Sequence, residues 1–187
     1  MTDPSALRPA RPPDVEATLV LARRPAPELS RFLYRAVGGD WYWLDRIDWT
    51  LDQWTDWVRA PGHQLWTCWV DGTPAGYAEL HPDSPGSLEL AYFGLLPGYS
   101  GLGLGGWLLT EAVQRAWSTE GTRRVWLHTC ELDAPAALHN YRARGFVECG
   151  SSVELWDTRE PSPGPWRGAR GPAASRPQDA WETVEKL

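Results

Sequence analysis

The chain has 187 residues, with 18 Lys or Arg against 24 Asp or Glu, so its formal net charge is −6. This length favours a single domain, and the negative charge argues against nucleic acid as a partner. No apolar run approaches the roughly 18 to 20 residues that cross a bilayer, so we expect no membrane partner. The first residues lack the apolar core of a secretion signal, which makes a cytoplasmic location the default expectation.

Proline and glycine are concentrated at the two ends of the chain, where apolar residues are few. Such a composition is typical of segments that cannot bury enough apolar surface to fold. We therefore predict a disordered N-terminal tail over residues 1–14, one folded domain over 15–157 and a Pro/Gly-rich flexible tail over 158–187.

The apolar periodicity within the predicted domain indicates a mixed α/β fold. In chain order, the predicted elements are a strand at 15–22, helices at 27–37 and 51–60, strands at 63–70, 74–80 and 88–96, a helix at 105–120, a strand at 124–129, a helix at 135–144 and a strand at 146–156. Asp71-Gly72 is a typical hairpin turn between two of these strands. The order predicts a mostly antiparallel sheet with one parallel crossover, flanked by helices.

The cysteines and histidines show none of the spacings, such as C-x-x-C or H-x-x-x-H, that hold a zinc ion. We therefore predict no metal site. The three cysteines are odd in number and widely separated, which favours reduced thiols. His128 and Cys130 have the parity to share one face of the strand at 124–129, where we expect them to line the core or a pocket.

A glycine-rich loop connects the strand at 88–96 to the helix at 105–120. Gly101, Gly103, Gly105 and Gly106 let the backbone approach a ligand closely and leave the first helical N–H groups free to bind an anion. A pyrophosphate is the natural guest of such a loop. The sequence therefore predicts a strand, glycine loop and helix that together hold a phosphate-bearing cofactor.

Two other interpretations of this loop are weaker. Gly101, Gly103 and Gly106 fit the G-x-G-x-x-G fingerprint of NAD-binding folds, but too little chain follows to build the second half of that sheet. Gly98-Tyr99-Ser100 begins like the nucleophile elbow of a hydrolase, yet Leu102 stands where that motif requires glycine.

Two blocks of the sequence resemble the GNAT superfamily of acyl-CoA-dependent N-acyltransferases. Residues 100–105, Ser-Gly-Leu-Gly-Leu-Gly, match the family's pyrophosphate loop, (Gln or Arg)-x-x-Gly-x-(Gly or Ala), at both small positions, with Ser100 replacing the first residue. Residues 137–146 look like the family's helix that ends in Tyr-x-x-x-Gly-Phe. The resemblance implies a GNAT-like fold that transfers an acetyl or other acyl group from acetyl-CoA to an amine by direct attack in a ternary complex.

The resemblance also implies which residues contact the cofactor and which protonates the departing CoA thiolate. Tyr141 would donate a proton to the departing CoA thiolate. The pantetheine arm would lie between the loop strand and the next strand, and Asn140 would lie beside the cofactor. The implied cofactor contacts are Phe93, Leu95, Ser100, Gly101, Leu102, Gly103, Leu104, Gly105, Gly106 and Asn140.

An amine must lose a proton before it attacks a thioester, so a base is required. Glu89 is the leading candidate, since it lies eleven residues before Ser100, an offset at which lysine-acetylating members of the resembled family carry a catalytic Glu. Glu79 is the second candidate. If the two strands pair with an index sum of 168, these carboxylates stand opposite each other, and like-charge repulsion favours protonation of one.

Seven of the 13 tryptophans lie between positions 41 and 69, in the region that forms the acceptor wall of the resembled fold. Trp41 and Trp43 are expected to line the acceptor site, and their rings, with nearby aspartates, suit an ammonium group. The acceptor would be a small-molecule amine or a peptide amine. A homodimer is one possible oligomeric state. The alternative function is a catalytically silent acyl-CoA-binding or interaction module.

Overall fold

Helices and strands follow one another in the order of a mixed α/β fold. The computed structural model describes residues 1–155, 162, 164–165 and 181–186. Its elements are β1 (Thr18–Leu21), α1 (Pro27–Gly38), α2 (Leu51–Arg59), β2 (Gln64–Val70), β3 (Thr73–Ser84), β4 (Ser87–Leu95), α3 (Leu104–Trp117), β5 (Arg124–Trp126), β6 (His128–Thr129), α4 (Ala137–Ala143), β7 (Gly150–Leu155) and β8 (Trp181–Lys186). None of the described helices is long and apolar enough to cross a membrane.

The strands form a five-stranded sheet, in the order β1-β2-β3-β4-β5, and a three-stranded sheet, in the order β6-β8-β7. Every pairing is antiparallel except that of β4 with β5. The predicted fold class, a mostly antiparallel sheet flanked by helices, is confirmed. This sheet also excludes the NAD-binding interpretation of the glycine loop, which needs a parallel, doubly wound sheet.

Three predicted elements are corrected by the structure. The predicted strand at 124–129 divides into β5 and β6, which pair in different sheets. The predicted strand at 146–156 begins only at Gly150. In the predicted flexible tail at 158–187, residues 181–186 form β8, which pairs with both β6 and β7. Apart from these and residues 162, 164 and 165, that tail lies outside the described residues.

The register of β3 and β4 differs from the one considered for the two glutamates. Glu79 lies opposite Tyr92, whereas two residues further along β3 His81 lies opposite Glu89. The shift occurs because Ala91 is an extra residue in β4, a β-bulge. The index sum of 168 is therefore wrong, and the two carboxylates are not paired across the strands.

Two hydrophobic cores cover the two faces of the larger sheet. One contains Leu80 and Leu90 together with buried residues of α3 such as Leu108. The other contains Tyr34 of α1, Trp54 of α2 and Tyr92. Because a bulge reverses the alternation of side chains along a strand, Leu90 and Tyr92 contribute to different cores although they are two residues apart.

Residues 1–14, which we expected to be a disordered tail, lie against the folded domain. The backbone of Met1 exchanges two hydrogen bonds with Val125 in β5, of 2.7 and 2.9 Å. The Ala10 N–H donates to Thr110 Oγ1 in α3 at 2.9 Å. Proline-rich composition gave no sign of these contacts, because they use backbone donors and acceptors of this segment and need few apolar side chains.

Candidate active site

The loop from β4 to α3 has a backbone shape that favours glycine. Gly98, Gly101 and Gly103 have φ angles of +93°, +87° and +74°, in the left-handed region where a Cβ is strained. Gly103 is the N-cap residue of α3, and no described side chain caps this helix. The first N–H groups of α3 are therefore available to an anion.

A cleft of about 410 Å³ runs from this loop along β4 to α4, and we call it the Gly-loop cleft. Leu102 and Leu104, both predicted cofactor contacts, do not line it, and Leu104 is fully buried in the core. The other predicted contacts all line the cleft: Phe93, Leu95, Ser100, Gly101, Gly103, Gly105, Gly106 and Asn140.

The Gly-loop cleft exists because two parallel strands separate. The pairing of β4 with β5 ends at Glu89 and Trp126, and the chain then continues into β6, which belongs to the other sheet. From Leu90 to Leu95, β4 pairs with β3 alone among the described strands. Its other edge offers main-chain donors and acceptors to an elongated ligand, in the manner of an added strand.

Helix α4 packs directly on the start of α3. The Asn140 side-chain amide donates to the Gly105 carbonyl at 3.2 Å. A Cβ at Gly106 would lie 2.6 Å from Arg144 Nη1, so a larger residue there would require the Arg144 side chain to move. Arg144 lines the Gly-loop cleft, and its buried Nε has no partner among the described residues. Sequence reasoning missed this cation. Residues three apart on a helix lie on the same side, so the spacing from Tyr141 to Arg144 was a usable signal.

A second cavity of about 210 Å³ adjoins the cleft, and we call it the acidic cavity. Asp45 and Asp133 are its two aspartates. The acidic cavity and the Gly-loop cleft share the lining residues Trp41, Trp43, Phe93, Asp133 and Tyr141. The structure therefore brings the predicted acceptor residues Trp41 and Trp43 to the place where the two spaces meet.

Tyr141 lies at this junction. Its ring is 6 % exposed and packs edge-on against Phe93, with 6.1 Å between the ring centroids. Burial raises the pKa of the Tyr141 hydroxyl well above its ordinary value, and the negative charge of Asp133 adds to the effect. The hydroxyl therefore stays protonated at neutral pH and can act as a proton donor.

Neutral donors orient the two aspartates of the acidic cavity. Asp45 accepts hydrogen bonds from the hydroxyls of Tyr34 at 2.8 Å and Tyr92 at 2.6 Å. Asp133 accepts one from the Trp43 indole at 3.2 Å and one from Thr129 Oγ1 at 2.7 Å. The Arg46 guanidinium lies 3.4 Å from Asp45 Oδ2 and offsets part of that charge. The Trp43 and Thr129 donors to Asp133 are neutral and do not cancel its charge, so Asp133 gives the lining a negative potential that suits a cation.

The two predicted bases occupy different environments. Glu79 is fully buried and lines neither space; its Oε1 accepts from Ser30 Oγ and lies 2.8 Å from His63 Nε2. Glu89 also lies outside the two linings, but its Oε1 is 2.7 Å from Nδ1 of His128, which lines the acidic cavity. The structure thus places Glu89 in contact with a residue that lines the acidic cavity, and it leaves Glu79 in the core.

The family model described as Acetyltransferase (GNAT) family matches residues 28–146, more than half of the chain. The chain belongs to the GNAT family of acetyltransferases. The matched span begins in α1 and ends just after α4, so it includes the glycine loop, both cavities and Tyr141. Among the described residues, no group of three or more His, Cys, Asp or Glu side chains is placed to hold a metal ion.

Solved structures of GNAT proteins share this fold. A GNAT acetyltransferase from Streptococcus pneumoniae is 22 % identical, with a TM-score of 0.62 over 92 % of this chain and 98 % of that one. One from Elizabethkingia anophelis, with acetyl-CoA bound, is 14 % identical, with a TM-score of 0.62 over 91 % and 97 %. Spermidine N-acetyltransferase from Vibrio cholerae, in complex with CoA and spermine, is 18 % identical, with a TM-score of 0.60 over 91 % and 94 %. Curated proteins gave no match.

Proposed function

We propose that this GNAT acetyltransferase transfers an acetyl group from acetyl-CoA to the amine of a small cationic acceptor, by direct attack in a ternary complex. The observation that carries the proposal is that the Gly-loop cleft and the acidic cavity meet at Tyr141. One space fits a long phosphate-bearing donor and the other fits a small cation, and a proton donor stands between them.

The residues of the Gly-loop cleft fit the parts of acetyl-CoA. The N–H groups at the start of α3 and the Arg144 guanidinium would hold the pyrophosphate. The open edge of β4 beside Phe93 and Leu95 would hold the pantetheine arm through main-chain hydrogen bonds. Acetyl-CoA supplies the thioester, whose carbonyl carbon is the electrophile.

The acidic cavity supports a cationic amine as the acceptor. Asp133 attracts an ammonium group, Asp45 adds the part of its charge that Arg46 leaves, and the Trp41 and Trp43 rings can contact the cation through cation–π interactions. The same carboxylates repel an acceptor that carries its own carboxylate. A volume of about 210 Å³ suits a small molecule or one side chain of a peptide. One solved relative with this fold is a spermidine acetyltransferase, which is consistent with an amine acceptor.

Tyr141 would protonate the leaving group. The amine nitrogen attacks the thioester carbonyl, the C–N bond forms, and the C–S bond breaks as the CoA thiolate leaves. A buried hydroxyl that is fully protonated can transfer its proton to the sulfur and recover one from the acetylated nitrogen. The acetylated product then carries an amide, and free CoA carries a thiol.

The test is the release of CoA thiol by the purified full chain from acetyl-CoA, with phenethylamine, spermidine, lysine ethyl ester and glutamate as separate acceptors. The proposal expects release with the three cationic amines and little with glutamate. Tight CoA binding without release in any reaction would instead support a silent acyl-CoA-binding module. A larger thermal shift with NAD than with CoA would overturn the assignment of the cleft.

A further inference from the structure

We propose that His128 is the base that accepts the acceptor's proton, and that Glu89 is the positioning residue behind it; this inference rests on the proposed function. The two residues come from neighbouring strands that belong to different sheets, and His128 Nδ1 lies 2.7 Å from Glu89 Oε1. Of the pair, His128 alone lines the acidic cavity.

The exposure of the two side chains assigns their roles. The His128 side chain is 49 % exposed, whereas that of Glu89 is 16 % exposed. Because Nδ1 is taken by the carboxylate, Nε2 is the ring nitrogen left to face a ligand. No described residue bonds to Nε2. A carboxylate that holds one ring nitrogen fixes the tautomer and the orientation of the imidazole, as it does in other acid–base pairs.

The charges around His128 favour its protonated form. The hydrogen bond with Glu89 raises the pKa of His128, and Asp133 and Asp45 raise it further, against the opposing effect of burial. Cys130 also lines the acidic cavity. On the other side of Glu89, His81 of β3 is its cross-strand neighbour, and burial keeps His81 neutral by lowering its pKa to about 4. A raised pKa makes the neutral imidazole a stronger acceptor of a proton from an ammonium group.

With His128 as the base, every proton in the reaction is accounted for. Nε2 of neutral His128 accepts one proton from the substrate ammonium, which leaves a neutral amine beside the thioester. The amine attacks, and the nitrogen loses its second proton to Tyr141 as Tyr141 gives its own proton to the CoA sulfur. His128 releases the first proton to solvent. One amide and one CoA thiol form, and one proton is released, without any further reactant.

Two amines that differ in protonation test the role of His128. Phenethylamine is protonated at neutral pH and needs the base, whereas hydroxylamine is largely neutral and does not. In His128→Gln, kcat/KM for phenethylamine should fall about 10²-fold or more, while kcat/KM for hydroxylamine stays within about 3-fold. An equal loss for both amines, or no loss for either, overturns the assignment. His128→Asn provides a second variant if the first one does not fold.

The pH profile and ring NMR test the role of Glu89. The acidic limb of kcat/KM should follow the His128 pKa, and Glu89→Gln should move both to lower pH because the carboxylate no longer stabilises the protonated ring. Glu89→Asp should restore part of the shift, and exposed Glu120→Gln is the matched control. A wild-type protein that acetylates no amine contradicts the proposed function. If the wild type is active but the Glu89→Gln variant shows the same acidic limb of kcat/KM and the same His128 NMR titration, this inference alone is contradicted.

Discussion

The Trp43 indole N–H donates a hydrogen bond of 3.2 Å to the Asp133 carboxylate, joining the loop after α1 to the segment before α4. Both residues line the Gly-loop cleft and the acidic cavity. The Trp43 ring lies against Gly38, where an added Cβ would clash with it. The wall between the two spaces therefore depends on a ring that is held by glycine on one side and by a carboxylate on the other.

Trp43→Phe keeps an aromatic ring and removes the donor to Asp133. A hydrogen bond to a charged group contributes about 1.5 to 3 kcal/mol, so we expect the KM for the amine to rise several-fold while the Kd for acetyl-CoA changes less. Steady-state kinetics and calorimetry measure the two constants. The matched control is Trp69→Phe, which removes a similar indole donor to Thr67 within β2. Equal effects of both variants on the amine KM would contradict this role.

Tyr141→Phe should lower kcat on the order of 10²-fold and leave the Kd for acetyl-CoA within a few-fold, because it removes the proton donor and keeps the ring. CoA-thiol release and calorimetry provide the two values. Tyr77→Phe is the control: Tyr77 is fully buried in the other core, and its hydroxyl has no partner among the described residues. That variant should keep kcat. A Tyr141→Phe variant with wild-type kcat would exclude Tyr141 as the acid.

Two glycines with the same backbone strain separate stability from cofactor binding. Gly101 has φ +87° and Gly121 has φ +81°, and a Cβ at either would meet nothing within 4 Å. Alanine in the left-handed region costs about 1 to 2 kcal/mol at either position. Of these two glycines, Gly101 lines the Gly-loop cleft and Gly121 does not. Gly101→Ala should therefore also weaken CoA binding, whereas Gly121→Ala should not. Calorimetric Kd values and urea denaturation check both effects. An equal CoA affinity in the two variants would contradict the prediction that the glycine loop binds CoA.

The glycine loop was predictable because its requirements are local. A run of glycines between a strand and a helix reports the positive φ angles and the helix start directly, and the Tyr-x-x-x-Gly-Phe block follows in fixed order. The residues of the glycine block that line the cleft, with Asn140 and Tyr141 of the second block, were therefore named from the sequence. Ala137, His139, Ala143 and Arg144 of the second block also line the cleft and were not predicted as contacts. For Arg144, a surface cation and a cation that lines a cleft look alike in sequence.

The surroundings of Glu89 and His128 were not predictable because their contacts are not local. The bulge at Ala91 changes which residues of β3 face Glu89, and it places Leu90 and Tyr92 in different cores. The ion pair of Glu89 with His128 joins residues 39 apart in sequence, on strands that diverge into two sheets. Composition also gave no sign that residues 1–14 would pair with the carbonyl and amide of Val125.

Glu79→Gln should reduce stability and leave the acidic limb of the pH profile in place. The carboxylate is fully buried, and its Oε1 lies 2.8 Å from both Ser30 Oγ and His63 Nε2. Weakening such a buried pair costs about 1 to 3 kcal/mol, measured by urea denaturation. Ser30→Ala should cost part of the same free energy. A Glu79→Gln variant that folds normally but loses the acidic limb would restore Glu79 as the base.

The stability of the fold should fall in acid because of His81. Burial, with His63 and Arg46 nearby, lowers the pKa of His81 to about 4 from its ordinary 6.5, and Glu79 and Glu89 oppose this shift only in part. The ring stacks on Trp57 with 3.6 Å between the centroids. Between pH 6.5 and 4 the unfolded chain therefore binds a proton at this residue that the folded chain does not.

It follows that the free energy of unfolding decreases as the pH falls through this range. A fully buried ring would lose about 1.4 kcal/mol per pH unit, but solvent screens a half-buried one, so we expect a total loss on the order of 1 to 2 kcal/mol. His81→Phe keeps the stacking on Trp57 and should remove that part of the slope. Urea denaturation of both proteins at pH 5 and pH 7.5 measures it. If the two proteins lose the same free energy between these pH values, His81 is not the source of the acid sensitivity.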